Sequence, residues 1–201
     1  MPRVVNHEQR RAEIAQIAAE LIAEDGLEAA TIREIARRSG YSKGIIEHYF
    51  DGKSELIDAA LGWANERYIE RAGTATKHLQ GLAALRARLR ASVPSSPGLR
   101  VEWKIRLLFW SMAAIDPALQ KQQRARTRDA IAHFASDLRD AQKLGEIPRE
   151  APVELLARRI LFSVSGLSCA ILHTPRTYNK GLVEDEIEYI VSVSTLQPQR
   201  L

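Results

Sequence analysis

The sequence predicts an all-α protein, and three observations carry that expectation. Apolar residues recur at helical spacing along nearly the whole chain, no run alternates apolar and polar residues as a half-buried strand would, and capping residues and glycines fall where helices of ordinary length start and stop. No internal repeat is present.

The elements follow in order. After a polar tail, Met1 to His7, a first helix is marked by Ile14, Ile17, Ala18, Leu21 and Ile22, and Asp25-Gly26 ends it. Thr31 can cap a second helix through its hydroxyl, and Glu34 three residues on completes a capping-box pattern where Ile32, Ile35 and Ala36 begin an apolar stripe. Gly40 follows Arg37, Arg38 and Ser39 and suits a left-handed residue, so the chain can reverse tightly. Ser42 caps a third helix. Ile45, Ile46 and Tyr49 of that helix point inward or at its rim, which leaves Lys43, Gly44 and His48 on or near the outer surface. Two helices joined by so short a turn form a helix-turn-helix, with the first helix packed behind them.

A further turn at Asp51-Gly52 precedes Ser54, whose cap position beside Glu55 starts a long helix through Ile57, Leu61, Ala64 and Tyr68. Gln80 to Val93 reads as another helix and Pro94 to Gly98 as a loop. Leu99 to Ile115 is a helix that is apolar nearly all round in its second half, so it is buried or lines a cavity. Pro117 sits in the first turn of a long amphipathic helix ending near Gly145, and Pro148 and Pro152 bracket a loop. Val153 to His173 mixes Leu155, Leu156, Ile160, Leu161, Val164, Leu167 and Ile171 with small residues that let a neighbouring helix come close. Beyond a polar loop at Pro175 to Gly181, Val183, Ile187, Ile190 and Val191 form the stripe of a final helix reaching Leu196.

Composition sets the class. A chain of 201 residues with 45% hydrophobic residues has enough apolar material for a core, so disorder is not expected. Its single cysteine, Cys169, excludes an internal disulfide framework and reads as packing rather than as a redox switch. With no apolar signal stretch and no uninterrupted apolar segment of spanning length, a cytoplasmic protein without a membrane partner is expected.

The charge is unevenly placed. Residues 1–56 hold 8 Lys+Arg and 10 Asp+Glu, residues 57–150 hold 16 and 10, and residues 151–201 hold 5 and 5, so the N-terminal part is not basic overall. Its acids lie largely on the first helix, whereas Arg33, Arg37, Arg38, Lys43 and Lys53 cluster around the helix-turn-helix. Local placement, not net charge, would carry phosphate binding there.

The run T-I-R-E-I-A-R-R-S-G-Y-S-K-G-I-I-E-H-Y-F-D-G-K-S-E-L resembles the DNA-binding half of the TetR family of one-component bacterial transcriptional regulators, from about Arg10 to Leu61. The rest of the chain is similar to that family in layout. Within the family, GIIEHYF and the stretch around Trp103 and Trp110 resemble choline-sensing regulators of betaine synthesis. The resemblance implies a homodimer with an N-terminal three-helix helix-turn-helix domain, residues 1–53, and a C-terminal helical ligand-binding and dimerisation domain, residues 54–201. It also implies a repressor that binds double-stranded operator DNA and responds to a small-molecule effector of unknown identity.

Candidate residues follow from this frame. Ser42 and Lys43 start the helix that such a motif sets against base edges, and Gly44 lets the backbone approach. Thr31, Arg33, His48, Tyr49 and Lys53 are assigned to phosphate, which supplies affinity and register. Trp103, Arg106, Leu107, Trp110 and Met112 on the apolar helix, with Phe134, are candidates to line an effector pocket, although a plain core would explain them too. For a quaternary ammonium ligand, Trp103 and Trp110 would give cation–π contacts and Glu102 or Asp116 the charge. The middle arginines could instead favour an anion, but the spacing of Arg86 with Arg90 and of Arg124 with Arg128 reads as a solvated face. Leu156, Ile160, Val164, Gly166, Leu167, Ile187 and Ile190 are the candidate dimer residues.

No catalytic motif, metal-ligand spacing or cofactor signature is present, and His7, His48, His78, His133 and His173 are scattered. A DNA-binding adaptor controlled by a protein partner and a small helical enzyme are the other classes left open.

Overall fold

The computed structural model describes residues 7–195; the N-terminal tail before His7 and the expected end of the last helix at Leu196 lie outside them. Among the described residues there are nine α-helices and no strand. They are α1 (His7–Asp25), α2 (Ile32–Ser39), α3 (Lys43–Tyr49), α4 (Lys53–Thr76), α5 (Gly81–Ser92), α6 (Pro97–Ala113), α7 (Pro117–Lys143), α8 (Val153–His173) and α9 (Lys180–Thr195). Two compact units result: one runs to Arg67 and includes Pro97–Trp110, and the other holds Tyr68–Ser96 and the chain from Ser111 on.

Local chemistry sets the helix ends of the first unit. The Thr31 hydroxyl accepts from the Glu34 N–H at 3.2 Å, and the Ser42 hydroxyl accepts from the Ile45 N–H at 3.3 Å. Gly40 ends α2 with φ 71°, a left-handed conformation that costs glycine nothing. Ser54 is not a cap, because α4 begins one residue earlier, at Lys53. Glu55 in the first turn of α4 reaches back instead to the preceding turn, accepting from the Asp51 N–H. Behind these turns Ile14, Ala18, Leu21, Ile35, Ile46, Phe50 and Leu56 are buried together as core.

Arg11 joins three elements of this unit. Its guanidinium donates to the Tyr49 carbonyl and to Glu55, and it lies 4.3 Å from the centroid of the Phe50 ring. Arg38 holds the end of α1 through Glu24 and Asp25, both at 2.6 Å. The first part of α6 is tied to the same helix, since Lys104 Nζ donates to the Ala23 carbonyl at 2.7 Å.

The second unit is built around one apolar cluster from four helices: Leu85 and Leu89 of α5, Phe134 and Leu138 of α7, Leu156, Ile160 and Val164 of α8, and Val183, Ile187 and Ile190 of α9. Charged pairs ring it, with Arg86 and Arg90 of α5 bound to Glu188 and Glu184 of α9. These two arginines are ion-paired on a solvent-facing surface, and Arg124 and Arg128 are exposed as well. The α6 start at Pro97 is two residues earlier than expected, as suits a proline in a first helical turn.

Among the described residues one helix, α8, is long and apolar enough to cross a membrane by length and composition, with mean hydropathy 1.6 in its most apolar window. Its residues divide between the core and a face bearing Arg158 and Arg159, the division of an amphipathic packed helix.

Gly81 opens α5 at φ 59°, and a Cβ there would lie 2.0 Å from Glu146 Oε2. That same oxygen accepts from the Leu82 N–H at 2.7 Å. Gly81→Ala is expected to cost about 1–3 kcal/mol, from the left-handed backbone and from displacement of the Glu146 carboxylate. Urea unfolding checks it, and an unchanged midpoint would show that the carboxylate swings aside freely.

Candidate functional site

The helix-turn-helix presents a polar surface because most of its apolar residues are drawn inward, with Ile32 and Ile45 half-buried. Ile35, Ala36, Ile46, Tyr49 and Phe50 are buried, which leaves Thr31, Arg33, Ser42, Lys43, Gly44, Glu47 and His48 exposed. Both reading-helix termini are settled locally, by the Ser42 cap and by the Phe50 N–H donating to the Ile46 carbonyl. Nothing approaches a Cβ built at Gly44 more closely than Ser42 Oγ at 4.0 Å, so open space lies over that backbone.

The residues assigned to DNA are found in different states. Lys43 Nζ is 3.1 Å from Glu47, and Lys53 Nζ is 3.2 Å from Glu28. Thr31 and Ser42 use their hydroxyls as caps. Tyr49 is buried apart from a small area, and its ring packs 4.3 Å from that of His7 and 5.4 Å from that of His48. Arg37 and Arg38, part of the basic cluster in the sequence, are engaged by Glu34, Glu24 and Asp25. The hydrogen bond from Arg37 holds the Glu34 carboxyl below the usual carboxylate range.

Three neighbours of the motif escaped the sequence reading. His7 joins the His48 and Tyr49 rings from the start of α1. The Tyr41 hydroxyl donates to Glu13 at 2.8 Å while the Arg10 guanidinium lies 5.2 Å from its ring centroid. Glu13 pushes the Tyr41 phenol above its ordinary pKa. Contacts between residues so far apart in the chain have no local signature.

The candidate effector residues divide. Trp103, Arg106, Leu107 and Trp110 form one stripe of α6 within the first unit, where the two indole rings meet edge to face at 5.8 Å. Arg106 places its guanidinium 4.7 Å from the Trp103 ring centroid, so a cation already lies over that indole. Met112 and Phe134 belong to the second unit, and Phe134 is part of its apolar cluster. Glu102 is buried beside Trp103 with Arg67 3.5 Å away. Asp116 accepts from the Ala118 and Leu119 N–H groups and caps α7.

Most of the candidate dimer residues lie in the core of the second unit. Leu156, Ile160, Val164, Leu167, Ile187 and Ile190 are buried inside the second unit, because α8 packs against α7 and α9, and α5 against α9. Only Gly166 of the seven is exposed. The apolar groups left on the outside are Leu155 and Phe162 of α8 and Tyr189 and Val193 of α9. The seven-residue step from Leu155 to Phe162 was the available sequence signal.

Cys169 is half-buried, and burial pushes its thiol pKa up. Among the described residues no group of His, Cys, Asp and Glu could hold a metal ion.

Comparison with known proteins agrees with this architecture. The family model described as "Bacterial regulatory proteins, tetR family" matches residues 14–60, and that of "BetI-type transcriptional repressor, C-terminal" matches residues 82–191. The HTH-type transcriptional regulator BetI of Paraburkholderia phymatum is 34% identical over 153 residues, covering 69% of this chain and 74% of the relative. That of Burkholderia mallei is 33% identical over the same span and shares. A transcriptional regulator from a Rhodococcus species superposes with TM-score 0.78 at 23% identity, covering 94% of this chain and 99% of the other. A regulator from Saccharomonospora viridis, solved in complex with choline, gives 0.78 at 22% identity, covering 92% and 95%. These structural likenesses establish the fold.

Proposed function

Because the chain belongs to the TetR family of bacterial transcriptional regulators, with a C-terminal part of the BetI type, we propose that it is a ligand-responsive repressor acting in the cytoplasm. In this reading a homodimer binds a palindromic operator in double-stranded DNA and is released by a small-molecule effector. Residues 1–53 serve as the DNA-binding domain and residues 54–201 as the effector-binding and dimerisation domain. The family is one of regulators, not enzymes.

The observation that carries the reading is the exposed polar face of α3, with Ser42, Lys43 and Gly44 leading it and Ile46 and Phe50 buried behind. A capped helix presented in this way fits a major groove, and two copies related by a two-fold axis would read half-sites one helical turn apart. Thr31, Arg33, His48, Tyr49 and Lys53 flank that face as phosphate contacts. Lys43→Ala is expected to weaken binding to a duplex selected by the wild-type protein about 5- to 100-fold and to reduce the salt slope by about one. A fluorescence-anisotropy titration over a range of salt concentrations measures both, and unchanged values would remove Lys43 from the interface.

The effector reading rests on the Trp103–Trp110 stripe and on the choline complex of the Saccharomonospora viridis regulator. A quaternary ammonium effector would contact those indoles, with Glu102 nearby to balance its charge, and would have to displace Arg106 from the Trp103 ring. It can shift DNA affinity only by binding one arrangement of the two heads better than the other. Choline is expected to change the tryptophan emission and to produce heat in calorimetry. Silence in both measurements would exclude it as effector and leave open control by a protein partner.

A further inference from the structure

Glu47 has no part in the function proposed so far. It is exposed on α3, one turn beyond Lys43, and its Oε1 lies 3.1 Å from Lys43 Nζ. A carboxylate on a surface that meets DNA is repelled by phosphates and must shed water, so it weakens binding unless base edges offer it donors. An ionised carboxylate accepts hydrogen bonds and donates none. In the major groove the available donors are the cytosine N4 and adenine N6 amino groups, whereas guanine O6 and N7 and thymine O4 are acceptors that would repel it. Adenine sets its N7 acceptor beside the N6 donor, and that acceptor opposes the second carboxylate oxygen. Cytosine has an apolar C–H there.

We propose that Glu47 is a specificity-determining residue that selects cytosine by accepting from its N4 amino group. The inference rests on the DNA-binding reading above. Binding exchanges the Lys43–Glu47 pair for two base contacts: Glu47 takes the cytosine, and Lys43, released, donates to guanine O6 or N7. The two side chains are separated by one helical turn, roughly 6 Å along α3, so they read positions within about two base pairs of each other. An exposed ion pair between flexible side chains is weak and exchanges readily. In free protein it keeps both charges compensated; on a wrong sequence it must either persist, tethering Lys43 and spending one of its three donors, or open and leave Glu47 facing an acceptor.

The test is selection from a duplex library with a randomised core, run in parallel with wild type, Glu47→Gln and Glu47→Ala, followed by titration of the selected duplex and its single-base variants. Wild type is expected to require cytosine at one position per half-site, losing about 5- to 100-fold with the other bases. Glu47→Gln should move that position to adenine, whose N6 and N7 match an amide. Glu47→Ala should reduce the discrimination there to less than about 2-fold and bind random duplex more tightly than wild type. Both replacements lie on an exposed surface, and circular dichroism confirms that the variants are folded. Selection of the same base at every position by all three proteins overturns the inference while leaving DNA reading intact. Failure of the wild type to enrich any sequence overturns both.

Discussion

Asp137→Ala is expected to lower the free energy of unfolding by about 3–5 kcal/mol, the largest stability loss anticipated for a single polar replacement in this chain. Arg88 of α5 binds Asp137 of α7 through two hydrogen bonds, Nε to Oδ2 at 2.6 Å and Nη2 to Oδ1 at 3.0 Å. The side chains are only 11% and 7% exposed, so water cannot replace either partner. Burial works against the charged guanidinium, but the hydrogen bonds and charge of Asp137 outweigh it and raise the Arg88 pKa. Removing the carboxylate therefore strands a cation that will not deprotonate. The cost is that of an uncompensated buried charge, not the net worth of the pair. Replacing both residues together, Arg88→Met with Asp137→Leu, should recover most of the loss, because two charges no longer have to be desolvated. Denaturant unfolding at fixed protein concentration decides the matter. A loss below about 1 kcal/mol for Asp137→Ala would mean that water reaches Arg88 once the carboxylate is gone.

Phe162→Asp is expected to convert the proposed dimer to folded monomers. Phe162 and Tyr189 are 62% and 64% exposed, and Leu155 of α8 and Val193 of α9 are exposed apolar residues too. Gly166, one turn beyond Phe162, removes a side chain from that face and lets a second helix approach. A two-fold axis would repeat any change, so one substitution buries two carboxylates, each costing several kcal/mol without a partner. Sedimentation velocity at micromolar concentration should show a single species of monomer mass with unchanged helical content. An intact dimer would place the interface elsewhere. Ile187→Asp, by contrast, strikes the apolar cluster itself, where Ile187 is fully buried, and should unfold the second unit rather than separate two copies. Comparing the two variants separates a surface from a core that the sequence pattern alone had merged.

That difference marks the boundary between what sequence and tertiary structure each decided. Most helix ends, the helix-turn-helix and the outward set of Lys43, Gly44 and His48 are legible in the sequence, because these depend on interactions within four residues, although α4 and α6 start earlier than the local pattern indicates. Thr31 and Ser42 find their N–H partners three residues on, and Gly40 turns the chain by its own backbone freedom. The α8 boundaries, Val153 to His173, were readable for the same reason. Tertiary structure decided which of two apolar stripes on α8 is interior, since Leu156, Ile160 and Val164 and the parallel Leu155 and Phe162 obey the same spacing. It also decided that Arg88 is buried against Asp137 while Arg86 and Arg90 reach α9, and that Arg11 fastens α1 to the ends of α3 and α4. A charge acquires its meaning from its partner, and these partners lie 38 to 102 positions away, beyond the reach of any local pattern.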